Sequence, residues 1–161
     1  LQKLVKKMRL ETEMENEFIR NGTYKLALDP RGSFGAPKEK APVPHFNFSP
    51  LKNAFDRLQK VSDSYSNLVV PKDAATEEIN YLLYSVERLM TREEGLSGRS
   101  WYKHHIYAPG FYTGYGVKTI PGVREAIEQR EYDSVESQIE IAAEILDDVT
   151  ERIEIITKML F

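Results

Sequence analysis

The 161-residue chain contains no cysteine, which excludes disulfides, thiolate metal ligands and a cysteine nucleophile. It also has little excess charge, because 22 basic and 25 acidic side chains give a formal net charge of -3. No global positive field is therefore present to attract nucleic acid. No apolar run approaches the ~20 residues that a membrane-spanning helix requires. The chain begins at Leu1 within a helical pattern, so we expect it to be a piece of a longer protein.

Apolar residues recur at steps of three and four along most of the chain, which predicts long amphipathic helices. Such patterns cover about 1–20, 49–68 and a third stretch that begins near Ala74 or Thr76, with Thr76 as a capping residue, and continues to 94. A short helix is expected to begin at Pro121. The clearest pattern is an unbroken apolar seam near the end, formed by Val135, Ile139, Ala142, Leu146, Val149, Ile153, Ile156 and Leu160. We therefore expect an all-α fold, arranged as an up-and-down four-helix bundle within a single domain over 1–161.

A proline-rich segment, residues 29–50, interrupts the first part of this pattern. It holds five of the eight prolines, which excludes a regular helix there. The segment is either a surface excursion over a partner domain or partly disordered. The excursion is favoured because Phe34, Phe46 and Phe48 are costly to leave in water. Strands should be few, and Tyr24–Leu28 is the short candidate.

A second interruption, residues 95–122, holds six of the nine glycines and many large rings. Its candidate interface residues are Trp101, Tyr102, His104, Tyr107 and Tyr112. Ordering so much glycine is costly in backbone entropy, so something must cover these rings. They pack either on the end of the bundle itself or against a neighbouring domain or ligand pocket, and the second alternative is slightly favoured.

The three histidines do not have the spacing of a metal site. His104 and His105 are adjacent, and no carboxylate lies three or four residues from either one. A structural role is therefore favoured over metal ligation. No zinc-peptidase, phosphate-loop, serine-hydrolase or dinucleotide motif is present either. The residues themselves thus give no catalytic group and no metal ligand.

The run Arg99 to Pro109, RSWYKHHIYAP, leads to Tyr115 and then to Ile-Pro-Gly at 120–122. This string resembles the C-terminal helical domain of the glutamate carboxypeptidase II and transferrin receptor family. The order of the predicted helices agrees with that domain from about Phe48 onward. The proline-rich segment has no counterpart in the resemblance.

The resemblance implies a three-part parent protein. Family members are two-zinc peptidases of the aminopeptidase type, or receptors derived from them, in which the helical domain forms most of the homodimer contact. The expected partners are therefore a second copy and the protease-like and apical domains of the same chain, without nucleic acid or membrane contact. Zinc is expected in the protease-like domain and not in this chain. The resemblance also implies a type II membrane protein facing the outside or an organelle lumen.

In the carboxypeptidases of this family, a Lys-Tyr pair in this loop binds the terminal carboxylate of the substrate. Tyr115 stands at the Tyr position here, whereas Gly114 stands at the Lys position. Lys118 is near enough in sequence to replace the missing ammonium. The leading hypothesis is a homodimerisation domain of a glutamate carboxypeptidase-like zinc peptidase that lends this loop to the substrate pocket. The alternatives are a catalytically inactive receptor-like homologue and, less favoured, a free-standing bundle.

Overall fold

The computed structural model describes residues 1–26, 35, 37–68 and 76–160. The helices are α1 (Gln2–Arg20), α2 (Thr23–Leu26), α3 (Ser49–Ser66), α4 (Glu77–Tyr84), α5 (Val86–Leu89), α6 (Pro121–Glu128) and α7 (Tyr132–Met159). Two antiparallel strands, β1 (Tyr107–Pro109) and β2 (Val117–Thr119), form a small sheet. The described residues are therefore mostly helical with little β-structure, as the sequence indicates. Over these ranges, no helix has both the length and the apolar character that crossing a membrane would demand.

The chain divides into two units, Leu1–His45 and Phe46–Phe161. In the first unit, the proline-rich segment lies along α1 where it is described. The Asn16 side chain donates to the Lys40 carbonyl and accepts from the Lys40 amide, both at 2.8 Å. Arg9 Nε donates to the Val43 carbonyl at 3.1 Å. These contacts fix the extended segment on the helix, whereas Phe34 lies outside the described residues.

The candidate strand Tyr24–Leu28 is wrong where it is described, because Thr23–Leu26 forms the helical turn α2. The backbone amide and hydroxyl of Thr23 both donate to Asn21 Oδ1, at 3.2 and 2.6 Å. Since Asn21 caps the new turn in this way, local hydrogen bonding overrides the β propensity of the sequence. Residues 27 and 28 lie outside the described ranges.

In the second unit, α7 is the central element and contacts α3, α4, α5 and α6. Six residues of the predicted seam are buried: Val135, Ile139, Ala142, Leu146, Val149 and Ile156. Ala143, Ile145 and Thr150 are also buried, which widens the seam beyond a strict heptad stripe. A helix with neighbours on several sides requires this broader buried face.

Two pairs of contacts give the direction of the neighbouring helices. The ring of Phe46, which lies just before α3, is 5.7 Å from that of Tyr132 at the start of α7, and Arg57 within α3 binds Asp147 within α7 through two hydrogen bonds of 2.9 and 2.7 Å. Because residues later along α3 contact residues later along α7, the two helices run parallel. The chain from α4 onward runs the other way, since Ser85 contacts Arg152 whereas Arg92 contacts Asp148.

The helix expected over 76–94 is in fact two short helices separated at Ser85. Its start is as expected, because the Thr76 hydroxyl accepts from the Ile79 amide at 3.2 Å. Ser85 is buried, donates to the Leu82 carbonyl at 3.1 Å and accepts from Arg152 at 2.8 Å. This side-chain bonding favours a turn at Ser85. The four-helix bundle and the single domain over 1–161 stay predictions.

Candidate functional site

The segment 95–122 contains a β-hairpin in which Tyr107 pairs with Thr119 and Pro109 with Val117. Its connection is closed by a hydrogen bond from the Gly110 amide to the Gly116 carbonyl at 2.9 Å. Gly114 adopts φ +57 at the tip, a left-handed conformation that glycine accommodates readily. The hairpin therefore replaces the irregular loop expected from the sequence.

A buried ion pair holds this hairpin against α6. Arg99 Nη2 lies 2.6 Å from Glu125 Oε2, and both side chains are more than nine-tenths buried. Arg99 Nη1 donates to the Pro109 carbonyl at 2.5 Å, and Glu125 Oε1 accepts from the Phe111 amide at 2.8 Å. The two charges thus bind each other and the hairpin backbone where β1 ends and the connection begins. Such additional hydrogen bonds offset the free-energy cost of removing a buried ion pair from water.

Aromatic rings enclose the same guanidinium. The Arg99 guanidinium carbon lies 5.1 Å from the ring centre of Tyr102 and 5.5 Å from that of Phe111. Cation–π contacts at this distance add to the stability of a desolvated arginine. The sequence pattern does not indicate that Arg99 and Glu125 form a pair. The available signal was Glu125 itself, a carboxylate placed between the buried Val123 and Ala126 of α6.

A second cluster lies at the base of β1. Tyr107 Oη donates to Glu87 Oε1 at 2.5 Å, and His104 Nε2 lies 3.2 Å from the same oxygen. His104 Nδ1 accepts from the amides of Ile106 and Tyr107 at 3.2 and 3.1 Å. The hydrogen bond to Glu87, with that carboxylate's negative charge, raises the pKa of Tyr107 above its ordinary value. This histidine therefore stabilises backbone and neighbouring side chains, which agrees with the structural interpretation.

The structure brings some of the predicted site residues together and leaves others exposed. The rings of His104 and Tyr107 lie 4.0 Å apart, and those of Trp101 and Tyr102 lie 6.1 Å apart. Tyr115 is completely exposed at the hairpin tip. The other largely exposed rings are those of Trp101 and Tyr112. The phenol of Tyr115 therefore projects into solvent from a hairpin that internal contacts hold in place.

Lys118 lies on β2 and is largely buried, with its ammonium in contact with Glu128. Arg124 approaches the other oxygen of the same carboxylate at 3.1 Å. Lys118 is therefore held by a side chain of α6 in this conformation. Across the described ranges, no group of three or more His, Asp or Glu side chains is arranged to hold a metal ion.

Comparison with known proteins gives relatives that share this region. The chain is 38% identical over 76 residues to probable glutamate carboxypeptidase LAMP1 of Arabidopsis thaliana, covering 44% of this chain and 11% of the relative. It is 35% identical over 77 residues to probable glutamate carboxypeptidase AMP1 of the same plant, covering 47% and 11%. A probable glutamate carboxypeptidase of Arthroderma benhamiae is 32% identical over 82 residues, covering 51% and 11%.

The chain thus spans about a tenth of the length of these curated relatives. A domain family matches a much larger share of the chain, namely residues 46–154, which include α3 to α6, the hairpin and most of α7. The resemblance found in the sequence is thereby confirmed, and the chain belongs to the transferrin receptor-like dimerisation domain family.

Proposed function

We propose that the chain is the homodimer-forming helical domain of a glutamate carboxypeptidase-like zinc peptidase. The observation that carries this proposal is the family match across residues 46–154, supported by relatives that are named as glutamate carboxypeptidases. The four-helix bundle expected from the long apolar seams belongs to the same proposal. The protease-like and apical domains of the parent, and its zinc ions, would lie outside this chain.

Sedimentation velocity of the full-length protein tests the homodimer. We expect a species with the mass of two chains at micromolar concentration, because obligate dimers of this kind bury large apolar interfaces. A species with the mass of one chain at every concentration would contradict the proposal.

The second part of the proposal concerns the hairpin, which we infer to reach the substrate pocket of the parent enzyme through Tyr115. Its phenol is fully exposed, and the Arg99–Glu125 pair fixes the hairpin that carries it. A phenolic hydroxyl donates to a substrate carboxylate and thereby orients it. Lys118 remains the candidate for the ammonium, and it would have to leave Glu128 to supply it.

Steady-state kinetics of Tyr115→Phe in the full-length protein tests this part. Losing a hydrogen bond to a charged group should lower kcat/KM about tenfold or more, mainly by raising KM. Tyr112→Phe is the matched control, because Tyr112 is also exposed on the hairpin connection. Equal kinetics of the Tyr115 variant and the wild type would remove Tyr115 from the site.

A receptor-like protein without peptidase activity is the second candidate, and one observation favours it. Gly114 replaces the lysine of the family's Lys-Tyr pair, so the strongest contact to a substrate carboxylate is missing at that position. Metal analysis of the full-length protein separates the candidates. Two zinc ions per chain would support the peptidase, and a metal-free protein that still forms dimers would support the receptor.

A further inference from the structure

A cavity of about 660 Å³ lies between the 92–105 region and α7, away from the hairpin tip. The side chains that matter for its chemistry are Arg92, Glu94, Trp101, His105, Ile141 and Glu144. Its volume is within the range of small-molecule and side-chain pockets in proteins. Neither the family match nor the proposed function gives this cavity an occupant.

The unpaired charge in this cavity is negative. Arg92 lines it but binds Asp148 at 2.8 Å, and Arg99 lines it but binds Glu125 at 2.6 Å. Glu94 and Glu144 are both exposed, and neither pairs with a basic side chain in the part of the chain that the structure describes. The charges of the two arginines are neutralised by the carboxylates that they bind. Glu94 and Glu144 therefore add two negative charges that no basic side chain of the lining neutralises.

Two lining residues have a buried polar atom without a hydrogen-bond partner among the described residues, namely Arg99 Nε and His105 Nε2. His105 is 5% exposed, and its Nε2 makes no hydrogen bond within the described ranges. Burial, together with the positive charge of Arg92, lowers the pKa of His105, whereas Glu94 acts in the opposite direction. The lowered pKa favours the uncharged imidazole, which does not repel a cation. A buried polar atom left without a partner is costly unless a ligand satisfies it.

An aromatic surface faces the same space. Trp101 lines the cavity with 71% of its surface exposed, and Ile141 adds an apolar wall from α7. Indole is the best side chain for attracting a cation to its face. The helix α7, which carries Glu144, also contributes a negative electrostatic field, because residues Glu131 to Leu160 include nine acidic and two basic side chains.

We propose that this cavity binds the guanidinium or ammonium group of a basic alkyl chain. The charged head lies between Glu94 and Glu144, and the methylene stem packs on Trp101 and Ile141. An anion is disfavoured because both lining guanidiniums already bind carboxylates. The same chemistry is supplied by a free amine or arginine derivative and by an arginine or lysine side chain of a protein partner.

Isothermal titration calorimetry of the full-length protein with acetyl-arginine amide tests the site. Acetyl-citrulline amide is the matched probe, because it has the same shape and no charge. We expect the arginine probe to bind at least about tenfold more tightly and to weaken as salt is raised. Equal binding of the two probes, or no heat from the arginine probe at about 10 mM, would overturn the proposal.

Variants assign the binding to this cavity. Trp101→Leu, and separately Glu94→Gln with Glu144→Gln, should weaken the arginine probe about fivefold or more. Tyr112→Leu and Glu140→Gln are the controls, since these residues are similarly exposed and lie outside the cavity. All of these side chains are on the surface, so folding should be retained, as circular dichroism would verify. Unchanged affinity in the cavity variants would place the binding elsewhere and contradict the proposal.

A twelve-residue peptide with one central arginine distinguishes the two sources of the cation. Binding at least about tenfold tighter than the blocked amino acid indicates a protein partner, because flanking backbone then contributes contacts. Equal affinity of the peptide and the blocked amino acid indicates a free small molecule. Either result supports a cation site, and neither depends on peptidase activity or on dimer formation.

Discussion

At the scale of single residues, two of the arginine–carboxylate pairs of the second unit differ in their surroundings. Arg99 and Glu125 are buried and hydrogen-bonded to the hairpin, whereas Arg57 and Asp147 are about half-exposed. The hydrogen bond to Asp147 raises the pKa of Arg57. Water competes for an exposed pair and screens it, so its contribution to folding is small. A buried pair is different, because removing one partner leaves a charge without compensation.

We therefore expect Glu125→Leu to lower the free energy of unfolding by about 3–5 kcal/mol, since Arg99 would stay buried without its carboxylate. Asp147→Leu is the control and should change stability much less. Urea unfolding of the protein that carries the chain measures both. A smaller loss for the Glu125 variant than for the Asp147 variant would show that the pair does not hold the hairpin.

At the scale of elements, hydrophobic periodicity and capping residues correctly predicted the features that depend on local sequence alone. The seam of α7, the start of α6 at Pro121 and the cap at Thr76 all follow from side chains near in sequence. The hairpin within 95–122 was not predicted, because β1 is only three residues long and contains a proline. Its geometry depends on Glu125, a partner from another element. The exposed position of Tyr115 likewise depends on that tertiary contact and not on a local pattern.

Two glycines of this segment have similar left-handed backbone conformations but different steric surroundings. Both Gly95 and Gly114 have positive φ, at +66 and +57. A Cβ at Gly95 would lie 2.3 Å from the Ser100 carbonyl oxygen, whereas a Cβ at Gly114 would meet no atom within 4 Å. Gly114→Ala should therefore lower stability by about 1 kcal/mol, the ordinary penalty of a left-handed alanine. Gly95→Ala should lower it by clearly more.

Thermal unfolding of the two alanine variants measures the difference. The Gly95 variant should melt several degrees below the Gly114 variant, because a clash with backbone cannot be relieved by rotating a side chain. Equal melting temperatures would mean that the turn at Ser100 adjusts freely to the added methyl group.

At the scale of the whole molecule, α4 has an apolar surface that other described residues of the second unit leave exposed. Tyr81, Leu83 and Tyr84 are each more than one-third exposed, and the two tyrosine rings lie 5.2 Å apart. Exposed aromatic clusters of this kind are frequent at protein interfaces. Because the chain belongs to a dimerisation family, we expect this face of α4 to contribute to the contact between two copies.

Tyr84→Glu in the full-length protein should shift the equilibrium from dimer to monomer, because a charge would be buried in the contact. Phe55→Glu is the matched control, since Phe55 is about as exposed but lies on α3. Sedimentation velocity over a range of concentrations measures both. Dissociation by the Phe55 variant, with the Tyr84 variant still dimeric, would place the interface on α3.

The parallel pairing of α3 with α7 has a consequence for how the chain acquires its fold. The Arg57–Asp147 contact joins residues 90 positions apart, and contacts of such long range slow folding. A ribosome delivers α7 after every helix that packs on it, and its rate is about 5–20 residues per second. The apolar faces of α3 and α6 therefore stay exposed to water for several seconds during synthesis, until α7 is available to cover them. We therefore expect chaperones to bind the nascent second unit over that interval.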